Sequence, residues 1–218
     1  AISKVAGLRR TTFELGGNAA TIIDEGTHIT DALINRLAVG AFAYSGQVCI
    51  SVQRIYIHES LYDEFRDQFV ARTNALVVGD PLDEATEIGP LINDVAGERL
   101  SAWLQSAKEQ GATISAGGDR DGRMMQATVL ENVEDDMQVM CAEAFGPLVN
   151  LVPYSDFDAV LDAVNDSDFG LQAGVYTPSL DKAMQAINTL NVGGVMINDV
   201  PTFRVDHMPY GGNKKSGV

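Results

Sequence analysis

The sequence is poor in the residues that build metal centres and covalent staples: two cysteines, three histidines and one tryptophan among 218 residues. Cys49 and Cys141 give no disulfide framework and no paired Cys-x-x-Cys ligand set. His28, His58 and His207 are scattered without ligand spacing. No metal is expected, and free thiols suit a cytoplasmic protein. Basic residues are also scarce, 15 against 30 acidic, for a formal net charge of −15. That excess repels phosphate backbones and anionic lipids, so neither nucleic acid nor a membrane is an expected partner. No apolar run approaches membrane-spanning length. The opening Ala1-Ile2-Ser3-Lys4-Val5-Ala6-Gly7 has no signal-peptide apolar core or cleavage site.

What is present reads as a globular α/β chain. The hydrophobic fraction is 45% and the charged fraction 21%, ordinary for a folded domain long enough to bury a sizeable core. Residues 29–43 carry apolar side chains at helical spacing, with Thr27 or Thr30 available as a cap. Residues 52–58 alternate as a β-branched strand, and 61–70 return to helix with Phe65 and Phe69 four apart. An acidic surface excursion at 80–87, between Pro81 and Pro90, follows. Residues 96–110 read as an amphipathic helix, and 113–115 and 128–130 as short strands. Beyond them 148–153, 173–176 and 194–197 read as strands and 157–164 and 180–190 as helices. Strand and helix alternating at these lengths imply a parallel sheet with crossover helices.

Four segments carry candidate chemistry. Cys49 lies in Ser45-Gly46-Gln47-Val48-Cys49-Ile50-Ser51; it is a small buried apolar residue or, in a loop whose glycine allows close backbone approach, a nucleophile. Glu14, in Phe13-Glu14-Leu15-Gly16-Gly17-Asn18, is a surface carboxylate beside a turn or a general base at the carboxyl end of a strand over 11–13. Glu143-Ala144-Phe145-Gly146-Pro147 is a turn into the next strand, or a carboxylate for ribose hydroxyls with an aromatic beside a planar ring. Met208-Pro209-Tyr210-Gly211-Gly212-Asn213-Lys214-Lys215-Ser216-Gly217 is a basic, glycine-rich loop without Walker spacing.

Together these segments resemble the aldehyde dehydrogenase superfamily. Glu14-Leu15-Gly16-Gly17 matches its glutamate motif, Gly46-Gln47-Val48-Cys49 with Arg54 its cysteine motif, Glu143 to Pro147 its Glu-x-Phe-Gly-Pro motif, and Pro209 to Gly212 its late Pro-aromatic-Gly-Gly motif. All four occur in order over essentially the whole chain. The resemblance implies the open, mostly parallel α/β sheet of that family's catalytic domain, with crossover helices on both faces. It implies oxidation of a small aldehyde to a carboxylic acid, with NAD or NADP as cofactor and a thioester on the nucleophile Cys49, hydrolysed by water that Glu14 activates. Glu143, Phe145 and Gly16 would contact the cofactor. Arg204, Phe203 and Tyr210 would line the substrate pocket. Arg54 is read as a structural ion-pair partner, Cys141 as a packed thiol and His207 as a structural hydrogen-bonding residue.

In the family a dinucleotide-binding domain precedes the glutamate motif. Residues 1–17 therefore read as its last helix and strand and 18–218 as the catalytic domain, a piece expected to be inactive by itself in hydride transfer. A homodimer or homotetramer is expected of the full-length protein. Arg204 has two readings, recognition of an anionic substrate group and pairing with Asp199 or Asp206. Asn18, and Asp206-His207 before Met208-Pro209, are similar to relatives acting on small hydroxy- or phosphorylated aldehydes. Two other functions compete: a cysteine hydrolase pairing Cys49 with His28, His58 or His207, and an inert domain serving assembly.

Overall fold

The computed structural model describes residues 2–217. In chain order the elements are helix α1 (Ile2–Val5), β1 (Ala19–Ile23), α2 (Asp31–Phe42), β2 (Val52–His58), α3 (Tyr62–Asn74) and α4 (Asp94–Glu109). They continue with β3 (Thr113–Ala116), β4 (Arg120–Asp121), β5 (Met124–Met125), β6 (Thr128–Glu131), α5 (Gln138–Cys141), β7 (Leu148–Tyr154) and α6 (Phe157–Asn165). Last come β8 (Phe169–Gly170), β9 (Gln172–Tyr176), α7 (Leu180–Thr189), β10 (Gly194–Ile197) and β11 (Asn213–Lys214).

Seven strands form one sheet in the order β10-β9-β1-β2-β7-β6-β3. Every ladder is parallel except that between β3 and β6 at one edge. Strands buried on both faces explain the run of apolar positions in β1, where all five residues are buried. On one face, Leu33, Ile34, Leu37 and Phe42 of α2 and Phe65 and Phe69 of α3 pack onto Ile23, Val52, Ile55, Ile57 and Leu151. On the other, α4, α5, α6 and α7 cover Ala20, Ile22, Tyr56, Leu148 and Val175. Burial of each large side chain contributes roughly 1.5–3 kcal/mol. Helices α2, α4, α6 and α7 start where a short polar side chain caps them: Thr30, Asn93, Asp156 and Ser179 accept from the backbone N–H three residues on.

One sequence expectation fails near the start. Residues 11–13 form no strand: Thr11 and Thr12 are exposed, and Glu14 makes only an isolated antiparallel bridge to Gly217. The strand lies after the glycine pair, as β1, beside the sheet's central strand; buried at all five positions, Thr21 included, it lacks the alternation that marks a half-buried strand. Among the described residues no helix is long and apolar enough to cross a membrane.

Candidate active site

β1, β2 and β7 lie side by side and parallel, so the segments that enter them meet at one edge of the sheet. Glu14 to Gly17 leads into β1, Cys49 into β2, and Glu143 to Pro147 into β7. The candidate site therefore sits at the amino-terminal edge, not at the carboxyl end expected for Glu14. After β10 the chain runs back to the same edge, where β11 pairs antiparallel with β8, the short strand ahead of β9. This return delivers Tyr210 to the site.

Glycine lets these loops interlock. A Cβ at Gly17 would collide with the Cys49 carbonyl oxygen, and one at Gly46, where φ is +66°, with the carbonyl oxygen of Gly146. The glycines that looked like turn markers are points where the glutamate, cysteine and Glu-x-Phe-Gly-Pro segments touch backbone to backbone.

Cys49 is partly exposed, and its sulfur has two side-chain neighbours. Sγ lies 3.1 Å from Glu14 Oε1, which accepts from the thiol, and 3.4 Å from the Tyr210 hydroxyl. That hydroxyl is also 3.4 Å from Glu14 Oε1. Burial pushes the thiol pKa up, the Tyr210 hydroxyl pulls it down and Glu14 pushes it up, with a net rise. In this arrangement Cys49 is a protonated thiol with an acceptor in contact. The turn ahead of it is strained: Tyr44 and Ser45 have φ of 52° and 58°, unusual outside glycine. Ser45 Oγ donates to the Gly89 carbonyl (2.8 Å), and Gln47 Oε1 accepts from the Ile92 N–H (2.8 Å).

Glu143 is half-buried on the neighbouring loop, where Oε1 accepts from the Gly17 N–H at 2.8 Å. Burial raises its pKa, while the Gly17 bond and the Arg99 charge oppose the rise. Gly16 leaves the space beside Oε2, since a Cβ there would press on that oxygen. Phe145 is 40% exposed with φ of 46°, its ring open to solvent beside the carboxylate.

Three buried amides hold this loop, and sequence reasoning missed the role of all three. Gln53 Nε2 donates to Val139 O (2.9 Å) and Ala142 O (2.7 Å), while its Oε1 accepts from the Ala144 N–H (2.9 Å). Asn150 Nδ2 donates to Val139 O (2.7 Å) and Asn18 Nδ2 to Met140 O (2.7 Å). Their signal was a lone amide at the start of, or just ahead of, an apolar strand, since a buried amide needs partners. Asn18 is thus a scaffold residue, 95% buried, not a substrate contact.

Other expectations change at this edge. Cys141 is exposed rather than packed, because it ends the one-turn helix α5 with its thiol directed outward. Arg54 is buried, but its recorded partners are neutral: it donates to Asn18 O (3.0 Å) and to the Tyr56 hydroxyl (3.2 Å). Asp199 pairs with Arg36 at 2.6 Å, leaving no role for it with Arg204. Among the described residues Arg204 makes no ion pair; its guanidinium lies over the Tyr210 ring, 4.2 Å from the centroid. Phe203 beside it is 39% exposed. No histidine is a recorded partner of Cys49. His58 ends β2, at the opposite edge, where Nδ1 contacts Ser60 Oγ (2.8 Å), and His207 is exposed.

A thiol, a carboxylate in contact with it and a second carboxylate with an open aromatic thus lie together on the strand-entry loops of one α/β sheet. The aldehyde dehydrogenase family model matches residues 1–218, and the chain belongs to that family. It is 48% identical over 216 residues to 3-sulfolactaldehyde dehydrogenase from Priestia aryabhattai, covering 99% of this chain and 45% of that protein. Aldehyde dehydrogenase 21 from Physcomitrella patens, solved with the reaction product succinate, superposes with a TM-score of 0.97 at 41% identity, covering 100% of this chain and 45% of that one. Glyceraldehyde-3-phosphate dehydrogenase GapN from Methanocaldococcus jannaschii, complexed with NADP, gives 0.94 at 36% identity over 100% of this chain and 47% of its own. The chain spans less than half the length of these relatives.

Proposed function

We propose that this chain is the catalytic domain of an enzyme that oxidises an aldehyde to a carboxylic acid through a thioester on Cys49. The observation that carries the reading is the 3.1 Å contact between Cys49 Sγ and Glu14 Oε1, which gives a nucleophile and its base one address. Glu14 accepts the thiol proton as sulfur attacks the carbonyl carbon. The backbone N–H of Cys49, which already favours the ionised sulfur, faces the oxyanion of the tetrahedral adduct. Loss of hydride leaves the acyl group on Cys49 as a thioester. Glu14 releases the thiol proton to solvent and, as carboxylate again, takes a proton from water, which attacks the thioester; the acid is freed and the departing thiolate recovers a proton from Glu14.

The hydride acceptor is a nicotinamide dinucleotide, NAD or NADP. The residues fit it: Glu143 Oε2 has no hydrogen-bond partner among the described residues and suits ribose hydroxyls, Gly16 leaves room beside it, and Phe145 offers an open ring. NADP in the Methanocaldococcus structure supports the assignment. We read residues 1–17 as the end of the dinucleotide-binding domain and the assembled enzyme as a homodimer or homotetramer.

The substrate we assign is a small aldehyde bearing an anionic group. Arg204, without an ion-pair partner among the described residues, stacks its guanidinium on the tyrosine that touches the nucleophile, with Phe203 beside it. The sulfonated aldehyde named for the Priestia relative is of that class, and the reaction product succinate in the Physcomitrella structure is the acid that oxidation of such an aldehyde gives. One assay on the complete polypeptide tests both parts: aldehyde-dependent cofactor reduction with wild type and Cys49→Ala, using anionic and uncharged aldehydes of equal length. Cys49→Ala is expected to lose about 10⁴-fold or more, and wild type to prefer the anionic aldehyde by about tenfold or more. Reduction that survives in Cys49→Ala ends the thioester mechanism, and equal kcat/KM values end the assignment to Arg204.

A further inference from the structure

We propose that Tyr210 is a catalytic residue of this reaction, its hydroxyl donating the hydrogen bond that supports the Cys49 thiolate once Glu14 has taken the proton. The inference rests on the thioester reading above and adds a participant to it.

The argument begins from what each group can donate. Once Glu14 has taken the proton it is a neutral acid, and a hydrogen bond from its O–H to the sulfur is the first step of handing that proton back. A thiolate in a partly buried site needs a donor that does not reprotonate it, and of the two side chains in contact with Sγ the weakly acidic Tyr210 hydroxyl is that one. Sγ, Oε1 and Oη form a near-regular triangle, with sides of 3.1, 3.4 and 3.4 Å. A phenolic O–H can therefore turn from the carboxylate to the sulfur by rotation about one bond, with no heavy atom moving. Before transfer, the thiol and the phenol both point at Glu14; after it, the phenol points at sulfur.

Two further features suit the role. Burial, with the nearby sulfur and carboxylate, pushes the Tyr210 hydroxyl above its ordinary pKa, so it keeps its proton at neutral pH and remains a donor. The Arg204 guanidinium over the ring fixes the plane from which the hydroxyl reaches Sγ. A phenylalanine at this position would keep the ring and the stacking surface and lose only the hydroxyl. Packing and hydrogen bonding are thus separable.

The test uses the complete polypeptide and follows iodoacetamide modification of Cys49 against pH, resolved by peptide mass so that the exposed Cys141 is counted apart. Tyr210→Phe is expected to move the Cys49 profile up by about one pH unit, lowering its alkylation rate below the thiol pKa about tenfold. It is also expected to lower kcat about tenfold with KM within about twofold. An isosteric, more acidic fluorotyrosine at 210 is expected to move the profile down, and it keeps the experiment decisive should the phenylalanine variant fold poorly. A profile unmoved by both substitutions overturns the proposal. Cys49→Ala separates the two levels: cofactor reduction surviving in that variant sinks the thioester reading itself, whereas its loss alongside an unmoved profile sinks only the role of Tyr210.

Discussion

In the proposed function Glu143 serves a ligand at the fold's expense. Its carboxylate is half-buried with one backbone donor, and burial holds its pKa above the usual glutamate value. A raised folded-state pKa means that the folded chain holds this proton more tightly than the unfolded one. The associated stability is fully present below the unfolded value, about 4.3, and is lost as pH rises through the folded value. Glu143→Gln keeps an acceptor for the Gly17 N–H and removes the titration. The variant is expected to melt at or above wild type at pH 7, with the difference closing as pH falls below the ordinary glutamate range. Its dinucleotide affinity is expected to fall about tenfold, since a neutral amide is a poorer acceptor for ribose hydroxyls. Melting curves across pH and cofactor titration measure the two effects; a variant less stable at pH 7 than at pH 4, relative to wild type, contradicts the sign.

At the scale of elements, the loop before β7 hangs from the three amides Asn18, Gln53 and Asn150. Gln53 alone satisfies three backbone groups of that loop. Gln53→Ala leaves the Ala144 N–H without its acceptor, while Val139 O keeps Asn150 and Ala142 O keeps Asn18, and is expected to cost about 1–3 kcal/mol. It should also raise hydrogen exchange across residues 139–147 before the rest of the sheet responds; denaturant melts and exchange by mass spectrometry check both. Gln53 also shows what the sequence left hidden. Helices α2, α3, α4, α6 and α7 were legible from apolar spacing, α2 also from its cap, β2 from β-branched alternation and β7 from a compact apolar run, with β9 and β10 following in the same strand–helix alternation. The four motif segments were legible as residues. Their meeting was not, because it depends on strand order: β1, β2 and β7 are adjacent, and no local pattern encodes which strands will be neighbours. Asn18 and Gln53 escaped for a related reason, since their partners lie 86 to 124 residues away. β1 escaped because side chains buried on both faces leave no period to read.

Over the whole molecule, acidic residues outnumber basic ones two to one, for a net charge of −15. Ion pairs such as Lys182 with Asp24 (2.7 Å) and Arg72 with Glu87 (2.5 Å) engage some carboxylates, but the acidic excess of 15 stays without a cation to match it. The remaining like charges repel within the compact state, at a range set by the ionic atmosphere. Salt that shortens the screening length from about 30 Å to about 8 Å is expected to stabilise the 218-residue chain by about 1 kcal/mol, or about 2–4 °C in Tm. Calorimetry at 0.01 and 0.15 M salt (about those screening lengths) reads this directly, and a Tm that falls with added salt contradicts it.

The left-handed backbone at Tyr44 and Ser45 costs of order 1–3 kcal/mol per residue and persists only where its surroundings impose it. Here the restraint comes from the far end of the long connection between α3 and α4, where Gly89 and Ile92 grip Ser45 and Gln47. The turn that carries the Cys49 sulfur is therefore a hostage of a distant surface strap: slackening that strap removes the restraint on the turn.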